Sequence, residues 1–282
     1  MSSHEISYLL LGHVTQDLTP TGVELGGTAT YSSLTACALG HPVRLITSYP
    51  QDFQFPSCTQ LEIKRTQCDC ATQFENIMVQ GKRKQFCYSQ AKELIPDDIP
   101  PTWKQSNIIH FGPVAQEISL KTIRGFPPDA FLCATPQGWM RSWDKEGLVH
   151  PVAWEWAAEA LPLLKAVVLS MEDVGGDEKK IDELVRLSKI LVITEAEDGA
   201  RVYWKGDARY FPAPHIPIAD STGAGDIFAA VFFSRLYITK DPWAAAKVAV
   251  QLASLSISRK GLASIPTTLE INQKMVEIIK QN

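Results

Sequence analysis

Apolar residues in this chain fall into short, almost unbroken runs separated by stretches of helical period. The runs are Ile6–Gly12, Val43–Tyr49, Asn107–Gly112, Ala130–Ala134, Lys165–Ser170 and Ile190–Glu195. Runs this short and this continuous predict strands buried on both faces, as in a parallel sheet. Between them, Thr28–Gly40 reads as a helix with Gly40 at its C′ position. Asp177–Ser188 reads as another, with Ile181, Leu184, Val185 and Ser188 on one face. A third helical run opens around Asp226 and carries Ile227, Phe228, Val231, Phe232, Phe233 and Leu236, so it is apolar nearly all round. Strands alternating with helices predict an α/β fold: a mostly parallel sheet covered on both sides.

One region breaks the rhythm. Between Thr59 and Ser89 the pattern alternates without helices, and Ala71–Gln90 reads as a hairpin turning at Gly81-Lys82. Phe74, Asn76, Met78, Phe86 and Tyr88 are expected on one mixed face of it. Thr21–Leu25 reads as a further strand before Gly26-Gly27, and Arg201–Phe211 as a second hairpin turning at Lys205–Asp207. These features predict one domain over residues 1–282, with a small β flap, or lid, formed by about 16–26 and 59–92. The exposed hairpin edge invites pairing with a second flap, which makes a homodimer through the lid an expectation.

Composition narrows the function classes. The chain has 282 residues, 45% of them hydrophobic, and a formal net charge of −4. The densest basic cluster is Lys82–Lys84, so nucleic acid is not an expected partner. No apolar run has the length of a membrane span, and the N-terminus lacks the charged start of a signal peptide. The six cysteines (Cys37, Cys58, Cys68, Cys70, Cys87, Cys133) match no zinc pattern, because Cys68-Asp69-Cys70 stands without a second pair. Reduced thiols and a cytoplasmic location are the expectation.

The chemistry concentrates in "DSTGAGDIFAAVFFSRL", Asp220–Leu236. Glycines at 223 and 225 allow a tight turn and close approach to bare backbone. The helix that follows offers free N–H groups and the positive end of its dipole. Together these make an anion site with a carboxylate, Asp226, beside it. A plain helix cap by Thr222 or Asp226 is the simpler alternative, but capping alone does not require Gly-Ala-Gly. No Gly-Lys-Ser/Thr follows, so this is not a P-loop.

This segment resembles the C-terminal signature of the PfkB carbohydrate kinases, and "GGTATYSSLTACALG", Gly26–Gly40, resembles their N-terminal one. "LLLGHVTQDL" is similar to their first strand and its substrate-binding acid. The resemblance implies a ribokinase-like three-layer sandwich with a β lid. It implies an ATP-dependent kinase that phosphorylates a hydroxyl of a small sugar or cyclic polyol. Asp226 is then the general base, and the N–H groups of Ala224, Gly225 and Asp226, in the turn begun by Gly223, form the anion hole. The helix start is expected to keep Asp226 ionised, a weak base. The implied substrate ligands are Asp17, Gly26, Gly27, Tyr31, Gln137 and Arg141, with the substrate between Asp17, Gly27 and Gln137. Thr194, Gly199 and Thr222 are implied for ATP, Asp173 for Mg²⁺ through water, and a monovalent cation near Asp220. "CATPQGWMR", Cys133–Arg141, is similar to a segment of the inositol-kinase-like branch. The departures are Tyr31 for the usual Asn, Thr135 for Asp, Ser170 and Asp173 for Asn and Glu, and Ala196 for Gly. A nucleoside kinase, and a degenerate kinase that senses a sugar or nucleotide, are the alternatives.

Overall fold

The computed structural model describes residues 5–79 and 82–275, and the side chains of Val79, Lys82 and Arg83 lie outside that description. The expected turn at Gly81-Lys82 therefore falls outside the described residues. The strands in chain order are β1 (Tyr8–Leu11), β2 (Thr15–Thr19), β3 (Gly22–Gly26), β4 (Val43–Tyr49), β5 (Leu61–Gln67), β6 (Thr72–Val79), β7 (Lys82–Ser89), β8 (Ile108–Phe111), β9 (Leu132–Ala134), β10 (Arg141–Trp143), β11 (Val149–Pro151), β12 (Ala166–Ser170), β13 (Ile190–Thr194), β14 (Gly199–Trp204) and β15 (Asp207–Pro212). The helices are α1 (Thr28–Ala38), α2 (Leu120–Arg124), α3 (Ala157–Ala160), α4 (Glu178–Leu187), α5 (Ala224–Thr239), α6 (Pro242–Ser256) and α7 (Thr268–Met275).

Nine strands form the main sheet in the order β15-β14-β13-β12-β9-β8-β1-β4-β5. All neighbours from β13 to β5 pair in parallel, and the hairpin β14–β15 closes one edge antiparallel. The apolar runs are continuous because both faces are covered. Tyr8 and Leu10 join the core on one side, with α1, α5 and α6, while Leu9 and Leu11 join the core on the other, with α4 and the Trp139–Trp154 stack. The same alternation splits Val168 from Val167 and Leu169. Burial all round explains the uniform apolarity of α5. Phe228, Phe232 and Phe233 are each buried in it, at about 1.5–3 kcal/mol apiece.

A second sheet, β3-β2-β6-β7, forms the lid. Its boundary differs from the expected one. Residues 61–67 belong to the main sheet, paired in parallel with β4, so the second lid segment starts at Thr72. The expected mixed face also changes. One unbroken register, from Val79 opposite Lys82 to Phe74 opposite Cys87, sets even-numbered residues of β6 opposite odd-numbered residues of β7, so Glu75 lies opposite Phe86. Paired residues share a face and side chains alternate along a strand, so Phe86 lies on the face away from Phe74. Phe74 and Cys87 therefore pack on Val114 and Ala115 of the body. Phe86 and Tyr88 stack on each other, and the Tyr88 hydroxyl donates to Glu75.

Candidate active site

The site is built around the start of α5. Gly223 is the N-cap residue, with φ +78°, and a Cβ there would fall inside the ring of Tyr31. Gly225 is helical, and a Cβ there would meet nothing. The left-handed position is thus Gly223, and the open approach lies over Gly225. The Ala224 N–H is already given to the Ser221 carbonyl (3.2 Å). The first-turn donors without an intrahelical acceptor are then those of Gly225 and Asp226. Ser32 of α1 donates to the Asp226 carbonyl (2.9 Å) and pins the turn from behind.

The Asp226 carboxyl gathers the other elements. Its surroundings are the Thr28 hydroxyl, which bonds to it, then Arg141, Asp173 and Asp17. Burial is the main cause that pushes it up to about 6; Asp173 and Asp17 add to this, while Thr28 and Arg141 oppose it. Desolvation and two neighbouring carboxylates thus outweigh the helix start, so Asp226 is a stronger base than expected while still mostly ionised near pH 7.

Asp17 comes from β2, beside Glu24 of β3 and Phe74 of β6 in the register of the lid. These three share the body-facing side. The Thr15 hydroxyl donates to Asp17 (3.0 Å). A side chain at residue 26 would collide with the Asp17 carboxylate, so Gly26 makes room for the acid. Gly27 is the N-cap of α1 with φ +85°, tight against His13 and Thr15. Tyr31 is 2% exposed, with Asp220, Asp17, Asp226 and Glu24 around it. Its ring lies under Gly223 and forms a floor for the turn.

Gln137 lies within, and Arg141 directly follows, a short 3₁₀ turn, Pro136–Met140, that comes after β9. Gly138 lets that turn press on Pro113 and Val114. Asp173 follows β12, accepts from the Ser170 N–H (2.8 Å) and bonds to Gln137. Burial raises its carboxyl in spite of Arg141, Ser170 and Gln137. Thr135 does not take the place of the usual acid. Its hydroxyl bonds to His110 (3.0 Å), which in turn meets the Tyr8 hydroxyl (3.0 Å), so it closes a buried polar chain inside the sheet. A cleft of about 530 Å³ opens beside Arg141 and Asp173, walled by Gln85 of β7 and by Met140, Val149 and Pro151.

The donor-side residues are only partly gathered. Thr194 ends β13 directly beside Ser170 of β12. Gly199 has φ +114°, and a Cβ there would strike the Phe211 carbonyl, so cross-strand packing accounts for this glycine. Ala196 adopts φ +49°, the left-handed conformation that suits the usual glycine. Thr222 is exposed, and its N–H donates to Asp220 (2.9 Å). Asp220 also accepts from the Gly261 N–H (3.2 Å). These bonds and the Lys260 charge hold it below its usual range despite burial. Amide donors and an ammonium around Asp220 do not suit a bound monovalent cation. Asp173, the acid expected to reach Mg²⁺ through water, is engaged by Ser170 and Gln137. Among the described residues no three carboxylate, imidazole or thiol groups could hold a metal ion.

Two supporting residues are invisible to motif reading. Thr28 stands inside the Gly26–Gly40 stretch, yet only the fold turns it to Asp226. Glu117 is fully buried and accepts from His13 N–H (2.9 Å), Val114 N–H (3.0 Å) and Ala115 N–H (2.7 Å). It ties the loop after β1 to the loop after β8, beneath the lid.

This sheet, with its lid and helix-start site, is the ribokinase fold. It superposes with a TM-score of 0.78 on a pyrophosphate-dependent kinase in the ribokinase family solved with a pyrophosphate analog and myo-inositol, at 20% identity, covering 94% of this chain and 99% of that one. It superposes with a TM-score of 0.72 on Thermotoga maritima ribokinase, at 18% identity, covering 96% and 99%. Residues 168–268 match the model of the pfkB family carbohydrate kinases. In sequence the chain is similar to inositol 3-kinase of Zea mays, 31% identical over 160 residues, covering 53% of this chain and 39% of that protein. It is also similar to inositol 3-kinase of Oryza sativa subsp. japonica, 35% identical over 100 residues, covering 35% and 23%. The matches thus span less than two fifths of these curated relatives. The stretch that resembles the PfkB carbohydrate kinases in sequence is thus residues 168–268, which hold the start of α5 and its glycine turn.

Proposed function

We propose that the protein is an ATP-dependent kinase that phosphorylates a hydroxyl of a small cyclic polyol or sugar. The observation that carries this reading is the convergence of Asp226, Asp17, Asp173 and Arg141 at the open N-terminus of α5. Carboxylates only accept hydrogen bonds when ionised, and a polyol ring presents several hydroxyl donors. Asp226 takes the proton of the attacking hydroxyl. The N–H groups of Gly225 and Asp226 receive the charge of the phosphoryl group. Asp17 and Gln137 hold the other hydroxyls, and Arg141 offsets the surplus negative charge.

The lid supports a polyol over a nucleoside. A base would need a flat aromatic slot, but the hairpin register turns Phe86 and Tyr88 away from the face that Phe74 and Asp17 share. The similarity to inositol 3-kinases supports the same choice.

The test is a transfer assay over myo-inositol, ribose, fructose and adenosine, with ATP and pyrophosphate each as donor. Transfer from ATP to a ring polyol or sugar is expected. Preference for adenosine would replace the acceptor class, transfer from pyrophosphate alone would replace the donor, and no transfer with any pair would overturn the kinase reading.

A further inference from the structure

Outside the kinase site, Cys68 and Cys70 lie where the chain leaves the main sheet for the lid. Residue 67 ends β5, residue 72 opens β6, and the chain bends at Asp69-Cys70. The bend turns both thiols together: the two Sγ atoms are 4.0 Å apart. Both side chains are part-exposed, whereas Cys37, Cys87 and Cys133 are buried. The return strand of the lid crosses the same point, since the Cys70 thiol donates to the Gln90 carbonyl (3.3 Å). Backbone bonds from Cys70 and Lys92, the Cys70 thiol and Ser48 surround the Cys68 sulfur. Burial works against ionisation there, but these contacts hold the Cys68 thiol below its usual range, while burial, Cys68 and Asp69 raise Cys70. The contacts are asymmetric: the Cys70 thiol donates its hydrogen bond to the Gln90 carbonyl while donors gather at the Cys68 sulfur, which suits Cys68 to attack and Cys70 to resolve. No third ligand completes a metal site among the described residues.

We propose that Cys68 and Cys70 are a dithiol site that low-molecular-weight disulfides oxidise to an intramolecular disulfide at the root of the lid. The Cys68 thiolate attacks one sulfur of the small disulfide, whose S–S bond breaks and releases one thiolate. Cys70 loses its proton to solvent and attacks the Cys68 sulfur of the mixed disulfide. That S–S bond breaks, the second small thiolate leaves, and Cys68–Cys70 is joined. The protein loses two hydrogens and two electrons, and the small disulfide becomes two thiols. A move of about 2 Å closes the gap to S–S bonding distance, within reach of a bent, part-exposed segment.

The test incubates the reduced full-length protein with oxidised glutathione, quenches by alkylation and maps the peptides over time. Cys58, also part-exposed, is the internal control. The expected result is loss of alkylation at Cys68 and Cys70 together, at least about tenfold faster than at Cys58, with the intact mass lowered by two hydrogens. Cys70→Ser is expected to retain one glutathione on Cys68, and Cys68→Ser to leave Cys70 reduced. Equal rates at Cys58 and the pair, glutathione retained on both cysteines of the unaltered protein, or wild-type oxidation of Cys70 in Cys68→Ser would each overturn the proposal.

Discussion

At the residue scale the decisive group is Asp226. A base must be deprotonated to act, and this carboxyl is pushed up to about 6. Under the proposed mechanism kcat/KM therefore falls about tenfold per pH unit below that value and levels above it. Asp226→Asn keeps the helix start and the backbone N–H groups but removes the proton acceptor. Its turnover is expected to drop on the order of 10²–10⁴ with the pH limb abolished, while donor binding measured by calorimetry changes little. A variant with near wild-type turnover and the same pH limb would take the base role away from Asp226. The sequence places an acid at this position, but its elevated value comes first from burial in the assembled fold, with Asp17 and Asp173, 209 and 53 residues away in the chain, adding to it.

At the element scale the start of α5 divides two glycines that look equivalent in the motif. Gly223 holds a left-handed turn against Tyr31; Gly225 is helical and faces open space. Gly223→Ala is expected to cost at least about 1–2 kcal/mol, from the left-handed backbone alone, with the contact against Tyr31 added. Gly225→Ala is expected to leave stability unchanged or raise it by up to about 1 kcal/mol, since alanine suits a helix better. Its methyl group stands over the donors of the turn, so turnover falls. Denaturant unfolding and initial rates on both variants separate the effects. A destabilised Gly225→Ala with normal turnover per folded molecule would contradict this division. Gly199 carries the same lesson: its motif position suggests phosphate approach, and the Phe211 carbonyl explains it.

At the scale of the whole molecule the lid is a separate sheet that borrows no strand from the main one. It meets the body through Phe74 and Cys87 on Val114 and Ala115, and through Thr72, whose hydroxyl meets His13 (2.7 Å). Replacing Phe74–Tyr88 by a short linker is expected to leave cooperative unfolding of the body intact. It should raise the acceptor KM and the ratio of donor hydrolysis to transfer, because water reaches the site. Thermal unfolding and the two rates test this. Loss of cooperative unfolding would show that the hairpin is part of the core. Among the described residues no helix is long and apolar enough to cross a membrane.

The sequence by itself determined what depends on local order. Buried parallel strands are written as continuous apolar runs, α5 as an apolar helix behind a glycine turn, and the position of Asp226 as a motif. Those features follow from period, backbone freedom and the helix end, all short-range. The tertiary structure decided everything that depends on which distant atoms meet. Leu61–Gln67 joined the main sheet because β4 offered it an open edge. The pairing register of the hairpin set Phe86 and Tyr88 on the face away from Phe74. Tyr31 and Thr135 turned into the interior, to Gly223 and His110, because each found a buried partner there. Glu117 took up the donors of two loops that are remote in the chain. Burial and neighbouring charge set the character of the Asp226 carboxyl, and both are properties of the assembled fold alone.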